Sequence, residues 1–403
     1  MRRAGEALGL ENPFFRVNSG HASAWAEIDG RRVLNFSSYN YLGLNGDRRV
    51  TEAAQKAADR YGTSVSGSRV TSGERPIHRE LEAALADVYG AEDAVTLVGG
   101  HATNVTVIAH LVGPGDAVVY DSLAHNSIIQ GAQLSGAQRR SFQHNDLQDL
   151  DRVLGELAAK SRRRLIVVEG CYGMDGDAPD LAGLIRVARR HQAHIMVDEA
   201  HALGVLGARG LGIAEHCGVD PAEVDVWMGT LSKTLAGCGG YIAGRAELIE
   251  YLKISAPGFV YSVGMPPPVA AGAIAALDLM AAEPERVAKL NANARLLMDE
   301  VRKIGLDTGL SAGFGIVPVI TGSSISAGRL ADALFKRGIN VQPIIYPAVP
   351  EKSSRLRFFV SSEHTAEHIA RTVEILAEES RRVFSEKVDL ASLAIKLASL
   401  KSR

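Results

Sequence analysis

Between Asp225 and Arg245 the chain reads DVWMGTLSKTLAGCGGYIAGR, and Lys233 is the only charged side chain inside that span. Small and apolar residues surround it. A buried ammonium without a partner is costly, so two readings stand. Lys233 ends a strand and reaches solvent, or it is an amine whose proton affinity is lowered below the ordinary pKa of about 10.4, ready to bond an aldehyde carbon. Other short stretches carry chemistry of their own. HIMVDEAHA puts Asp198 at the end of an apolar run and His201 three residues on, and YDSLAHNS puts His125 after another. LVGGHATN places Gly99, Gly100 and His101 between a strand-like and a helix-like segment, where bare amides suit a phosphate. RLRFFVSSEH carries Arg357, a fork that can grip a carboxylate.

Each piece has a plainer reading. The glycine pair is also a tight strand-to-helix turn, Asp198 a helix cap, His125 a packed or capping residue, and Arg357 half of a surface ion pair. Taken together they describe what one cofactor requires. An imine-forming lysine, a carboxylate for a pyridinium nitrogen, an imidazole stacked on the ring and a phosphate cradle are the needs of pyridoxal 5'-phosphate.

The elements that must position these residues follow from the pattern. DAVTLVGG, DAVVYDS, RLIVVEGCYG, AHIMVDEAHA and DVWMGTLSK are short runs rich in Val and Ile. Amphipathic stretches such as LQDLDRVLGELAAKSR and DLAGLIRVARRHQ lie between them. This alternation predicts an α/β fold with a mostly parallel sheet, and ligands then bind beyond the carboxyl ends of the strands. After VYSVGMPPPVAAGAIAALDLMAA the texture changes. Prolines 266–268 can open a helix but not sit within one, and GIVPVI, INVQPII and RLRFFVS read as strands of a smaller C-terminal α+β domain. The expected organisation is an N-terminal segment over 1–50, a large cofactor-binding domain over 51–279, a small domain over 280–380 and a terminal helix over 381–403, with Leu390, Leu393, Leu397 and Leu400 at helical spacing.

A chain of 403 residues with a formal net charge of -2 gives no sign of a nucleic-acid or anionic-membrane partner. No run is long enough for a membrane span, and MRRAGEALGLENPFF lacks the apolar core of a signal peptide. Three cysteines without framework spacing fit a reducing cytoplasm, and no metal motif is present.

The motifs NFSSYNYLGL, EGCYGMDGD, VDEAHALGVLGARGLG, GTLSKTLAGCGG and YSVGMPP occur in the order and spacing of a known family. The chain resembles the α-oxoamine synthases, pyridoxal-phosphate enzymes of the aspartate aminotransferase-like fold type I, over nearly its whole length. The resemblance implies condensation of a small amino acid (glycine, alanine or serine) with an acyl thioester. Carbon dioxide and free thiol are lost and an α-amino ketone results. It implies Lys233 as imine lysine and base, Asp198 as pyridine-nitrogen partner, His201 as partner of the ring hydroxyl and His125 as the stacked ring. Gly100, His101, Thr230 and Ser232 fall on the phosphate side. Arg357 would hold the substrate carboxylate, with Asn40 and Ser361, the latter taken to lie in the same strand, lining the substrate site. A homodimer with shared active sites is implied too, Ser262 reaching the neighbour's phosphate. The acyl group would arrive on coenzyme A or a carrier protein.

Three departures stand out. Gly173 occupies a place where several family members have serine. Val263 replaces a hydroxyl residue. Tyr39 and Asn40 stand where biotin-pathway members carry asparagine and aspartate. The SYNYLG form is closer to serine palmitoyltransferase and to polyketide-associated synthases. The alternatives are 8-amino-7-oxononanoate synthase of biotin biosynthesis, glycine C-acetyltransferase without decarboxylation, and an aminotransferase or retro-aldol lyase on the same fold. A silent supporting subunit would lack the imine lysine, which is present here.

Overall fold

The computed structural model describes residues 9–386. The expected terminal helix at Leu390–Leu400 lies outside the described residues. Two compact units are present. One holds residues 44–173 and 177–288. The other holds the described residues up to Gly43, the short excursion Met174–Gly176, and the described residues from Lys289 onward.

The chain enters with a hairpin, β1 (Trp25–Ile28) and β2 (Arg31–Asn35). The first unit then builds a seven-stranded sheet from β3 (Asp93–Leu97), β4 (Ala117–Asp121), β5 (Gln138–Phe142), β6 (Arg164–Glu169), β7 (His194–Asp198), β8 (Val226–Thr230) and β9 (Gly240–Gly244). Their spatial order is β3-β9-β8-β7-β6-β4-β5. The pairs from β5 through β8 are parallel, and β9 alone runs against its two neighbours. All residues of β6, β8 and β9 are buried, as expected of strands covered on both faces. Leu165, Val167, Met196, Val226, Met228 and Ile242 form one face of the core, with Val107, Ile108 and Ile128 from two covering helices. Each such side chain contributes about 1.5–3 kcal/mol through removal from water.

Connections between the parallel strands run through helices Asn126–Leu134, Leu147–Leu157 and Leu181–Arg190. Asp146 and Asp180 cap the last two by accepting main-chain N–H bonds. A helix over Pro267–Ala282 opens on the expected prolines, where the missing N–H costs nothing. The second unit contains β10 (Ile316–Ile320), β11 (Ile339–Asn340), β12 (Gln342–Ile344) and β13 (Arg355–Phe359). β11 joins β2 in parallel, and β10, β13 and β12 form an antiparallel sheet. Helices Ser324–Lys336 and Ala366–Ser385 belong to this α+β unit.

The polar strand β5 (QRRSF) and the glycine-bounded β9 (GYIAG) were not read from sequence. β5 pairs with β4 alone, so it carries none of the apolar density that marks the buried strands.

Candidate active site

Strand order reverses between β4 and β6, and in a doubly wound sheet the crevice beyond that point is where ligands sit. The loops leaving β4, β6, β7 and β8 carry His125, Gly173, His201 and Lys233. The parallel register brings Glu169 and Asp198 side by side at the ends of β6 and β7.

Asp198 is buried and held at both oxygens. Its Oδ2 accepts from Asn104 Nδ2 at 2.7 Å and its Oδ1 from the Ala200 amide at 2.9 Å. Burial, reinforced by the charge of Asp198, pushes the Glu169 carboxyl up to about 8, against the amides of His125 and Gly173 and the positive charge of Lys233.

Lys233 sits in a tight bend after β8. The bend is closed by Gly237 N–H to Leu231 O (2.8 Å) and Ala236 N–H to Lys233 O (3.1 Å), and tied down by Thr234 Oγ1 donating to Leu203 O at 2.8 Å. Ala236 adopts a left-handed φ of 52° to close it. Lys233 is half-buried, between the two readings its sequence left open.

Gly99 caps helix Gly100–Leu111 in an extended conformation, and Thr103 is the first amide of the helix to bond back, to Gly99 O at 2.9 Å. The geometry of a helix start leaves the amides of Gly100, His101 and Ala102 without intrahelical acceptors. Gly100 is required: a Cβ there would come within 2.8 Å of Thr230 Oγ1. Thr230 Oγ1 donates to Gly239 O (2.9 Å) and so accepts from Ser232 Oγ, 2.8 Å away. A buried carboxylate, an amide-lined helix start and a half-buried lysine at the strand ends of one sheet fit the pyridine nitrogen, the phosphate and the aldehyde of pyridoxal phosphate.

His125 stands at the head of helix Asn126–Leu134, its ring edge-on to His101 at 6.2 Å between centroids. His201 packs its ring against Gly173. Ser262 follows the short helix Pro257–Val260 and lies between exposed Tyr261 and Val263.

Arg357, Asn40 and Ser361 belong to the second unit. Arg357 is in β13, with Nη1 3.4 Å from Met174 Sδ and the guanidinium over the Phe359 ring at 4.6 Å. Burial lowers its proton affinity. The neighbouring Arg355 makes a buried ion pair with Asp175 (2.7 Å), which anchors the Met174–Gly176 excursion. Asn40 is buried and donates to Ala22 O at 2.9 Å. Ser361 is a correction: β13 ends at Phe359, and the Ser361 hydroxyl and amide both meet His364 Nδ1 at 3.0 Å.

Sequence reasoning missed Asn104, Ser127 and Glu169. Asn104 and Ser127 lie inside helices, four residues after Gly100 and two after His125, with no signal except that spacing.

The family model Aminotransferase class I and II matches residues 31–376. An 8-amino-7-oxononanoate synthase of Symbiobacterium thermophilum is 41% identical over 356 residues, 88% of this chain and 90% of that protein. A serine palmitoyltransferase of Sphingobacterium spiritivorum is 37% identical, covering 93% of this chain and 92% of its own. Among solved structures, a serine palmitoyltransferase with its pyridoxal phosphate internal aldimine superposes with a TM-score of 0.91 at 30% identity, over 96% of this chain and 97% of that one. The chain belongs to the aminotransferase class I and II family and, within it, to the pyridoxal phosphate-dependent α-oxoamine synthases, enzymes that join an amino acid to an acyl group.

Proposed function

We propose that this enzyme condenses glycine, alanine or serine with an acyl thioester, and that Lys233 is the residue that holds the cofactor. The observation that carries the assignment of residues is the gathering of Lys233, Asp198, His201 and His125 at the carboxyl ends of adjacent parallel strands, with the amide-bearing start of helix Gly100–Leu111 beside Thr230.

Bound pyridoxal phosphate supplies an electron sink for the pair left on the amino acid's Cα. Asp198, fixed by Asn104 and Ala200, would pair with a pyridine nitrogen and hold its proton there. His201 would meet the ring hydroxyl, and the amides of Gly100 and His101 would hold the phosphate. Arg357 orients the amino-acid carboxylate. The Lys233 amine takes the Cα proton. Cα then bonds to the thioester carbonyl carbon and the C–S bond breaks, releasing thiol. The Cα–carboxylate bond breaks next, releasing carbon dioxide, and Cα is reprotonated to give the α-amino ketone.

The name borne by the 41% identical relative favours a specific pair. An 8-amino-7-oxononanoate is what alanine, less its carboxylate, gives on a seven-carbon dicarboxylic acyl group. The 37% identical relative points instead to serine and a long acyl chain. Purified enzyme offered glycine, alanine and serine, each with short and long acyl-CoA, decides between them through thiol release and carbon dioxide capture. Keto-acid formation without thiol release would overturn the synthase reading. Thiol release without carbon dioxide would indicate C-acyl transfer that retains the carboxylate.

The working form is inferred to be a cytoplasmic homodimer. Exposed Tyr261 and Val263 around Ser262 support a covered surface there, and Cys171, Cys217 and Cys238 are unbridged. A monomer by light scattering at assay concentration would exclude the dimer.

A further inference from the structure

We propose that Asn104 and Ser127 are positioning residues that hold His125 in one tautomer, with its ring proton on Nε2, so that His125 acts as a hydrogen-bond donor and not as a base. The inference deepens the reading of the site above and rests on it only for what His125 faces.

The direction of the hydrogen bonds is set at one end by Asn104, whose Nδ2 donates to Asp198 Oδ2 at 2.7 Å. The same nitrogen is 2.9 Å from Ser127 Oγ, which therefore accepts its second N–H. Ser127 Oγ is 2.7 Å from His125 Nδ1, a bond whose direction follows the ring tautomer. A backbone donor decides that tautomer: the Ser127 main-chain N–H meets Nδ1 at 3.3 Å, the capping bond of helix Asn126–Leu134. A proton on Nδ1 would face that N–H donor to donor, at the positive end of the helix. Nδ1 is thus an acceptor and Nε2 carries the proton. Asn104, Ser127 and Asp198 are buried and His125 is exposed, so the chain is shielded from water as far as the Ser127 hydroxyl and opens to solvent at the ring. The residue's backbone is fixed as well, because the His125 amide donates to Glu169 Oε1 at 2.7 Å.

A neutral imidazole with Nε2–H suits an acceptor that gains negative charge during reaction, such as a thioester carbonyl oxygen. It cannot take the Cα proton through Nε2, which leaves that task to Lys233.

The test uses the full-length holoenzyme labelled with 15N-histidine, with the His125 signals assigned by their loss in His125→Gln. At neutral pH the expected wild-type spectrum shows Nδ1 unprotonated and Nε2 protonated. Ser127→Ala should lose this single-tautomer signature, and its kcat should fall while the amino-acid KM stays within about twofold. If Ser127→Ala does not fold, Ser127→Cys, a weaker donor, should shift the same signals partway. A wild-type ring protonated on Nδ1, or an unchanged tautomer in the Ser127 variant that folds, overturns the proposal. The same spectrum taken without cofactor keeps the two readings apart, since the donor chain lies wholly within the protein: a chain that binds no pyridoxal phosphate refutes the site assignment while the tautomer is still measured.

Discussion

Gly173 has no side chain, and the imidazole of His201 fills the space one would take: a Cβ on Gly173 would come within 2.5 Å of His201 Nε2 and 2.7 Å of its Cδ2. Gly173 is not among the left-handed glycines of the chain, so a serine there meets no backbone penalty. The side-chain clash is the whole cost. The residue that departs from several family members is thus the one that sets where the His201 ring rests.

Gly173→Ser should displace the His201 ring by roughly 1 Å, since atoms at van der Waals contact stand about 3.5–4 Å apart. Overpacking of this kind costs about 1–3 kcal/mol. The expected outcome is a fold retained at lower Tm and a shifted absorbance maximum of the bound cofactor. An unchanged cofactor spectrum in the folded variant would show that the His201 ring does not govern the cofactor's environment.

His144 is clamped between Asp121 Oδ1 (2.9 Å from Nδ1) and Asp177 Oδ2 (2.8 Å from Nε2), with the Tyr172 ring edge-on and Asn145 donating to Asp177. Burial opposes its charge, but the two carboxylates outweigh it and raise its pKa to about 10. A raised pKa means that the folded state holds a proton the unfolded chain has lost. The stabilisation is therefore complete below about pH 6.5 and disappears as pH rises towards 10. Thermal melts should show wild-type stability declining across that window and a shallower decline in His144→Gln. At pH 7 the variant should be less stable by about 3 kcal/mol, the cost of removing one partner from a buried pair. Parallel pH slopes for the two proteins would refute the clamp.

The legible part of this molecule was the part written in periodicity. Val- and Ile-rich runs announced β3, β4, β6, β7 and β8 because strands covered on both faces must be apolar throughout. The polar residues after them stood out for the same reason: a polar residue closing an apolar run is conspicuous. β5 escaped because an edge strand can be polar, and β9 because its glycines read as loop. Asn104 and Ser127 escaped for a different reason. A polar residue inside a helix looks solvent-facing until tertiary packing buries it, and only the approach of helices Gly100–Leu111 and Asn126–Leu134 makes them a pair. Ser361 was misplaced because RLRFFVSS continues an apolar strand pattern beyond Phe359, where the backbone leaves the ladder to meet His364.

Arg69 is buried and makes paired hydrogen bonds to Glu82 and Glu74 as well as one to Thr96 Oγ1 at 3.2 Å. Glu82 also takes the Thr96 amide at 2.8 Å, so this cluster fixes helix Pro76–Tyr89 against β3. Arg69→Met keeps the stem and removes the charge, leaving Glu82 buried with Lys253 at 3.6 Å as its remaining cation. Destabilisation of about 3–5 kcal/mol is expected in urea melts. A loss below about 1 kcal/mol would show that the Arg69 cluster does not hold helix Pro76–Tyr89 against β3.

Arg357 tests the substrate side. Its guanidinium lies over Phe359 and beside Met174, where an arriving carboxylate would be desolvated with it. Arg357→Gln should weaken amino-acid binding by about 2–5 kcal/mol, a rise in amino-acid KM of roughly 30-fold or more, with the KM for the acyl donor little changed. Equal loss for both substrates would point to a structural role for the residue instead.

Lys233 carries the greatest weight, and borohydride tests it without any turnover. Hydride adds to a carbon–nitrogen double bond between cofactor and lysine and leaves a single bond that survives denaturation. Wild-type enzyme treated this way should retain the cofactor mass on the one peptide that contains Lys233. Lys233→Ala should lose both that tag and the long-wavelength absorbance of lysine-bound cofactor. It should still bind pyridoxal phosphate, because Asp198, its partners Asn104 and Ala200, and the amides of Gly100 and His101 are untouched. Retention of cofactor without the tag separates the lysine's bond from the rest of the pocket. A tag recovered on any other lysine would move the chemistry away from the end of β8 and overturn the assignment.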